Sequence, residues 1–295
     1  MKVLCLGVAT LDHLVLVEKF PEKDERVIAI ESFVGFGGPA ATAAVTLARL
    51  GISSFLAAVI SDDDNGRAIL KNLESEGVDT SLVIADPSVR TATSTIIVSK
   101  SEQTRAILVQ PSPISVLTID RSQCDPFDWV HCDQQGVVAL QKANIHRAAS
   151  LKLSIDLGYF VEGVIPEDFD LFAPSDRVMQ ELYPEIGISE SVSLLARKAK
   201  NKVVVAQGST GAYFADSNDH GLVPTTANHI VSTLGAGDVF HGALLASQIW
   251  GTSLQTGTAI ANIVAGISCQ ALDGQSGIPR KADLLVELNK RGISI

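Results

Sequence analysis

Short, unbroken apolar runs recur along this chain, separated by stretches with helical spacing. VLCLGVA (3–9), SFLAAVI (54–60), WVHCD (129–133), KLSIDL (152–157) and KVVVAQG (202–208) are apolar on both faces. A strand apolar on both faces must be covered on both, as in a parallel sheet between two helical layers. The helices come from AATAAVTLARL (40–50), stopped by Gly51, from DDDNGRAILKNLESEG (62–77), and from the spans 137–149, 189–200, 238–250 and 254–271. This alternation predicts an α/β fold, a three-layer sandwich with a mostly parallel central sheet.

Two regions change period. HLVLVEKF (13–20), RVIAIESFVGF (26–36), TSTIIVS (93–99) and TRAILVQ (104–110) alternate apolar with polar residues. They read as half-exposed antiparallel strands forming a small β-sheet lid within 13–36 and 93–110. With no repeat and no low-complexity linker, 1–295 reads as one domain carrying that lid. Open strand edges suggest a homodimer through the lid, although a monomer fits the same pattern.

Composition narrows the partners. The net charge of −10 argues against a protein that coats nucleic acid or an anionic membrane. A small anion stays admissible, because main-chain N–H groups can hold a phosphate. The apolar start is too short for a signal peptide and is interrupted by Asp12, and no apolar run is long enough to span a bilayer, so the expected location is cytoplasmic. Cys5, Cys124, Cys132 and Cys269 form no CxxC pair and read as free thiols. The six histidines show no ligand spacing, so no protein-held metal is expected. There is no GxxxxGK[ST] loop and no GxSxG elbow.

Chemistry concentrates in two glycine-rich stretches. In STLGAGDVFHGAL (232–244), Gly235, Ala236 and Gly237 let a ligand approach the backbone, and the helix behind them aims N–H groups at an anion. Asp238 is then either a plain helix-start acid or a base beside that anion. In VGFGGPAATAAVTLARLG (34–51), Gly37 and Gly38 either bring main chain against a ligand, with Thr42 on the first helical turn, or serve tight helix packing. A dinucleotide fingerprint is a poor fit there, since the stretch follows a half-exposed strand and no suitable acid ends a second one.

Together these residues resemble the ribokinase-like (PfkB) family of carbohydrate kinases, in order and over nearly the whole chain. STLGAGDVFHG (232–242) is similar to the family signature D-T-x-G-A-G-D-x-F-x-G, and GGPAATAAVTLARLG to its N-terminal one. DDDNG (62–66) resembles the D-D-x-x-G turn, and QGSTGAYF (207–214) the nucleotide loop. The resemblance implies a ribokinase-like sandwich and ATP-dependent phosphorylation of a sugar hydroxyl, with Mg²⁺ accompanying the ATP. It implies Asp238 as base and Gly235, Ala236 and Gly237 as anion hole. Asp12, Gly37 and Gly38 would bind sugar, while Gly208, Ser209, Gly211 and Asn262 would bind nucleotide. Arg26, Arg90 and Arg105 on the lid, and Gln135 after a strand, are further candidates for substrate contact.

Departures from the family pattern matter. Ser232 replaces an acid associated with monovalent-cation binding, which argues against potassium activation. Thr42 replaces a sugar-contacting Asn. The N-x-x-E motif is not recognisable in 173–187, where Glu181 is a partial substitute. The leading expectation is a sugar kinase. A sugar-phosphate kinase would need a lid arginine in the pocket, and a sugar or nucleotide sensor would bind without making ADP.

Overall fold

The computed structural model describes residues 1–102, 104–112 and 117–295; Gln103, within the predicted lid span, lies outside the described residues. The chain runs β1 (Lys2–Leu6), β2 (Thr10–Val17), β3 (Glu31–Gly37), α1 (Pro39–Arg49), β4 (Ser53–Ala57), β5 (Val59–Ile60), α2 (Asp64–Ser75), β6 (Ile84–Ala85), β7 (Thr93–Ser99) and β8 (Thr104–Gln110). It continues through α3 (Arg121–Cys124), β9 (Trp129–Cys132), α4 (Gln134–Lys142), β10 (Lys152–Leu157), β11 (Leu171–Pro174), α5 (Asp176–Leu182), α6 (Ile188–Ala199) and β12 (Lys202–Ala206). The last elements are β13 (Ala212–Ala215), β14 (His220–Val223), α7 (Ala236–Ile249), α8 (Leu254–Ser268) and α9 (Lys281–Lys290).

Eight strands form the central sheet in the order β14-β13-β12-β11-β10-β9-β1-β4. It is parallel from β4 to β12, and β13 and β14 close it antiparallel. Side chains alternate across it: Val3 and Cys5 of β1 enter one apolar core, Leu4 and Leu6 the other. The first core holds α1, α7 and α8, and the second holds α4, α5 and α6. The strand order reverses beside β1, and such a reversal opens a crevice at the carboxyl ends of the strands.

Small residues let α1 and α7 approach closely. A Cβ on Gly242 would stand 2.8 Å from the Thr46 side chain and 3.0 Å from the Ala43 carbonyl oxygen. The run AATAA is therefore a packing surface as well as a neighbour of the crevice. α4 begins three residues before the predicted 137 because Asp133 caps it, its Oδ1 accepting from the N–H groups of Gln135 and Gly136 at 2.9 Å.

The lid is a separate sheet, β3-β2-β7-β8. Its hairpins β2–β3 and β7–β8 are antiparallel, but β2 and β7 join in parallel, a correction to the all-antiparallel expectation. Period-two alternation records which face is covered and carries no information on strand direction. The lid's inner face buries Leu14, Ile96 and Val98 against Leu234 and Leu272, so the lid rests on the glycine-rich turn. All four cysteines are buried and free. Among the described residues, no helix is long and apolar enough to cross a membrane.

Candidate active site

The turn before α7 leaves main-chain N–H groups without acceptors among the described residues. Gly235 occupies the helix N-cap at φ +69°, where an added Cβ would sit 2.9 Å from the Gly274 Cα. Ser232 shapes the approach: its hydroxyl accepts from the Leu234 N–H at 3.1 Å, and its own N–H bonds the Cys269 carbonyl. The first N–H groups of a helix lack intrahelical acceptors. Here the Ala236 N–H donates to the Thr233 carbonyl at 3.3 Å, while the N–H groups of Gly235, Gly237 and Asp238 have no acceptor among the described residues. The open donors are thus Gly235, Gly237 and Asp238, while the Ala236 N–H of the expected trio is engaged by Thr233.

Asp238 stands on the first turn of α7, half-buried. Its carboxylate makes no hydrogen bond to the described protein, so it is not spent on capping. Burial, reinforced by Asp156, Asp133 and Asp12, pushes its carboxyl well above the ordinary range, and His241 works the other way. An unspent carboxylate of raised proton affinity beside open N–H groups has the chemistry to accept a proton next to a bound anion.

The expected nucleotide residues come together. Gly208, Ser209, Gly211 and Asn262 line one cavity of about 360 Å³ with Ala236, Gly237 and Phe240. Gly211 (φ +113°) is held there by close approach, since a Cβ would stand 2.1 Å from the Val223 carbonyl oxygen. The Asn262 amide donates to that same carbonyl at 2.9 Å, so this side chain also braces the cavity wall.

The expected sugar residues divide. Asp12, on β2, is buried and accepts from the Thr10 hydroxyl at 3.0 Å; burial holds its carboxyl above the usual range. A Cβ on Gly37 would lie 2.2 Å from Asp12 Oδ2, so the glycine leaves room beside that oxygen. Gly38 (φ +92°) instead seats the start of α1 on the backbone of Val8 and Ala9. Thr42 is 1% exposed and its hydroxyl accepts from Gln275 at 3.3 Å, which turns it toward the 273–278 loop instead of open space.

Among the lid arginines, only Arg105 lies on a strand. Its guanidinium donates to the Thr233 hydroxyl at 2.5 Å, tying β8 to the rim of the cavity that Gly208 and Asn262 line. Arg26 and Arg90 are exposed in loops, a correction to their placement on strands; Gln135 is exposed at the start of α4. Glu181 pairs with Arg177 at 3.2 Å on α5. Replacing Arg105 with Gln should raise the KM for ATP by roughly tenfold at most and leave kcat nearly unchanged, because an exposed charged hydrogen bond is worth little. Initial rates at varied ATP are the check.

Three residues were not singled out from sequence: Asp133 and Asp156 at the ends of β9 and β10, and His241 on α7. Asp133 Oδ2 accepts from the Val8 N–H at 2.7 Å and so steers the chain from β1 toward Asp12. Burial lifts its carboxyl to about 6 against the pull of three N–H donors. Asp156 ends β10 and lies 2.7 Å from His241 Nδ1. The available signal was one acid closing each of two otherwise apolar strands.

The description of pfkB family carbohydrate kinases matches residues 1–156 and 169–281. A ribokinase of Bacillus subtilis (strain 168) is 25% identical over 298 residues, covering 96% of this chain and 98% of the relative. The ketohexokinase of Mus musculus is 25% identical over 294 residues, covering 94% and 98%. The ribokinase of Arabidopsis thaliana, solved with ribose and ATP, superposes with a TM-score of 0.77 at 20% identity, over 97% of this chain and 99% of that one.

Proposed function

Because the chain belongs to the pfkB family of carbohydrate kinases, we propose that it transfers the γ-phosphoryl group of Mg²⁺-bound ATP to a hydroxyl of an unphosphorylated sugar or sugar derivative. The observation that carries this reading is the unspent Asp238 carboxylate beside the open N–H groups of Gly235 and Gly237. Asp238 takes the proton of the acceptor hydroxyl as its oxygen attacks the γ-phosphorus. The bond to the β-phosphate bridging oxygen breaks, and ADP leaves. The open N–H groups and the dipole of α7 hold the charge of the transferring group.

ATP fits the cavity whose wall carries Gly208, Ser209 and Gly211 and whose rim reaches Gly237. Among the described residues, no group of three or more His, Cys, Asp or Glu is placed to hold a metal alone. Mg²⁺ would therefore arrive on the ATP phosphates, its usual mode in kinases. Asp12 and the space beside Gly37 receive the sugar. An unphosphorylated acceptor is favoured because Arg105 is engaged by Thr233 and Arg26 and Arg90 are exposed in loops. The relatives named ribokinase and ketohexokinase support a small sugar as acceptor.

The test is ADP release from Mg·ATP across sugars, sugar phosphates, sugar acids and nucleosides. Release that depends on an unphosphorylated sugar supports the reading, and release only with a sugar phosphate overturns the acceptor class. Thermal stabilisation by ATP and a sugar without any ADP would instead favour a sensor. The reading extends to a homodimer through the lid, since β8 exposes Ile107, Leu108 and Val109 and leaves an open edge. Sedimentation velocity should give twice the chain mass; a monomer at all concentrations contradicts the pairing.

A further inference from the structure

His241 lies one helical turn beyond Asp238 on α7, and residues three apart share a helix face. It is 8% exposed, and its Nδ1 stands 2.7 Å from Asp156 Oδ2, within ion-pair distance though off the line of a hydrogen bond. Asp156 is itself 6% exposed at the end of β10. Asp156 acts electrostatically on Asp238, and a buried carboxylate near another acid carries a heavy cost unless a cation accompanies it. Resting on the kinase reading, we propose that His241 is a positioning residue for the base: its pairing with Asp156 neutralises the neighbouring carboxylate and thereby keeps Asp238 able to ionise and take the acceptor proton.

Among the described residues, the charged groups acting most strongly on Asp238 besides His241 are acids. Asp238 is faced by Asp156 from β10, by Asp133 from the end of β9 and by Asp12 from β2, all acids. His131 on β9 is buried, and burial holds it down at about 4; its Nδ1 is shared with the Ser154 hydroxyl at 2.7 Å, so it stays neutral. Burial is the largest influence on His241 and opposes its charge, yet Asp156 and Asp238 together hold the imidazole above its ordinary value. Among these acids Asp156 acts most strongly on Asp238, and it is the one that His241 contacts.

The test compares the full-length protein with His241→Gln, Asp156→Asn and the double variant. Two readings are taken: the carboxyl ¹³C titration of Asp238 without substrates, and the pH dependence of kcat/KM. In His241→Gln the Asp238 midpoint should rise by about one pH unit, with roughly tenfold lower kcat/KM below the limb. In the double variant it should return toward the native midpoint, because the uncompensated charge has gone too. An unchanged midpoint in His241→Gln, or a shift that Asp156→Asn does not reverse, overturns the proposal. Absence of turnover in the native protein would sink the kinase reading, whereas the carboxyl titration judges the pairing separately.

Discussion

Asp238→Asn should lower kcat by about 10²- to 10⁴-fold, the span ordinarily lost with a general base. KM values for both substrates should change little, since Asn keeps the shape and the backbone donors. The substitution should also preserve or raise the melting temperature. The sign follows from the raised proton affinity of Asp238. A carboxyl whose folded value exceeds its unfolded one, about 3.9, costs stability progressively as pH climbs from that value through the folded one. A neutral Asn escapes the cost, so the variant should melt at or above the native temperature most clearly at alkaline pH. The native protein should show the same shift kinetically. Only the ionised base is active, so kcat/KM should fall with acid along a limb well above the ordinary carboxylate range. Loss of activity with greater stability marks a functional acid; loss of both would mark a structural one.

Gly37→Ala should separate the two substrates. The new Cβ would stand 2.2 Å from Asp12 Oδ2, so the carboxylate must swing away. Gly37 does not need a left-handed backbone, so the alanine chain can still fold. A binding group displaced by about an ångström commonly costs on the order of 10²-fold. The expected result is a kcat/KM for sugar lower by roughly that factor with the KM for ATP nearly unchanged, because Asp12 lies outside the nucleotide cavity. A parallel loss for ATP would place Gly37 in general packing.

Much of this was legible in the chain. The strands at 93–99 and 104–110 form over the expected residues, because both segments are rich in Thr, Ile and Val, although β8 is exposed at every position and not half-buried as expected. The glycine-rich turn was legible because Gly235 needs a left-handed conformation and close approach at once. β13 and β14 were not legible: four residues each, at the sheet edge, they are too short to show a period. Asp133 and Asp156 escaped for a different reason. Their importance depends on β9 and β10 lying side by side, and sequence proximity does not report that neighbourhood. Thr42 shows the converse, since its helix position was right but Gln275, more than two hundred residues away, claims its hydroxyl.

The most direct measurement follows the phosphoryl group itself. ATP labelled in the γ-phosphate should, with Mg²⁺ and the acceptor found active in the ADP assay, yield label as an acid-stable monoester on a sugar hydroxyl. Little label should appear as inorganic phosphate, and almost none should move in Asp238→Asn. Label released chiefly as inorganic phosphate, or transferred equally well by the Asp238→Asn protein, would contradict the account.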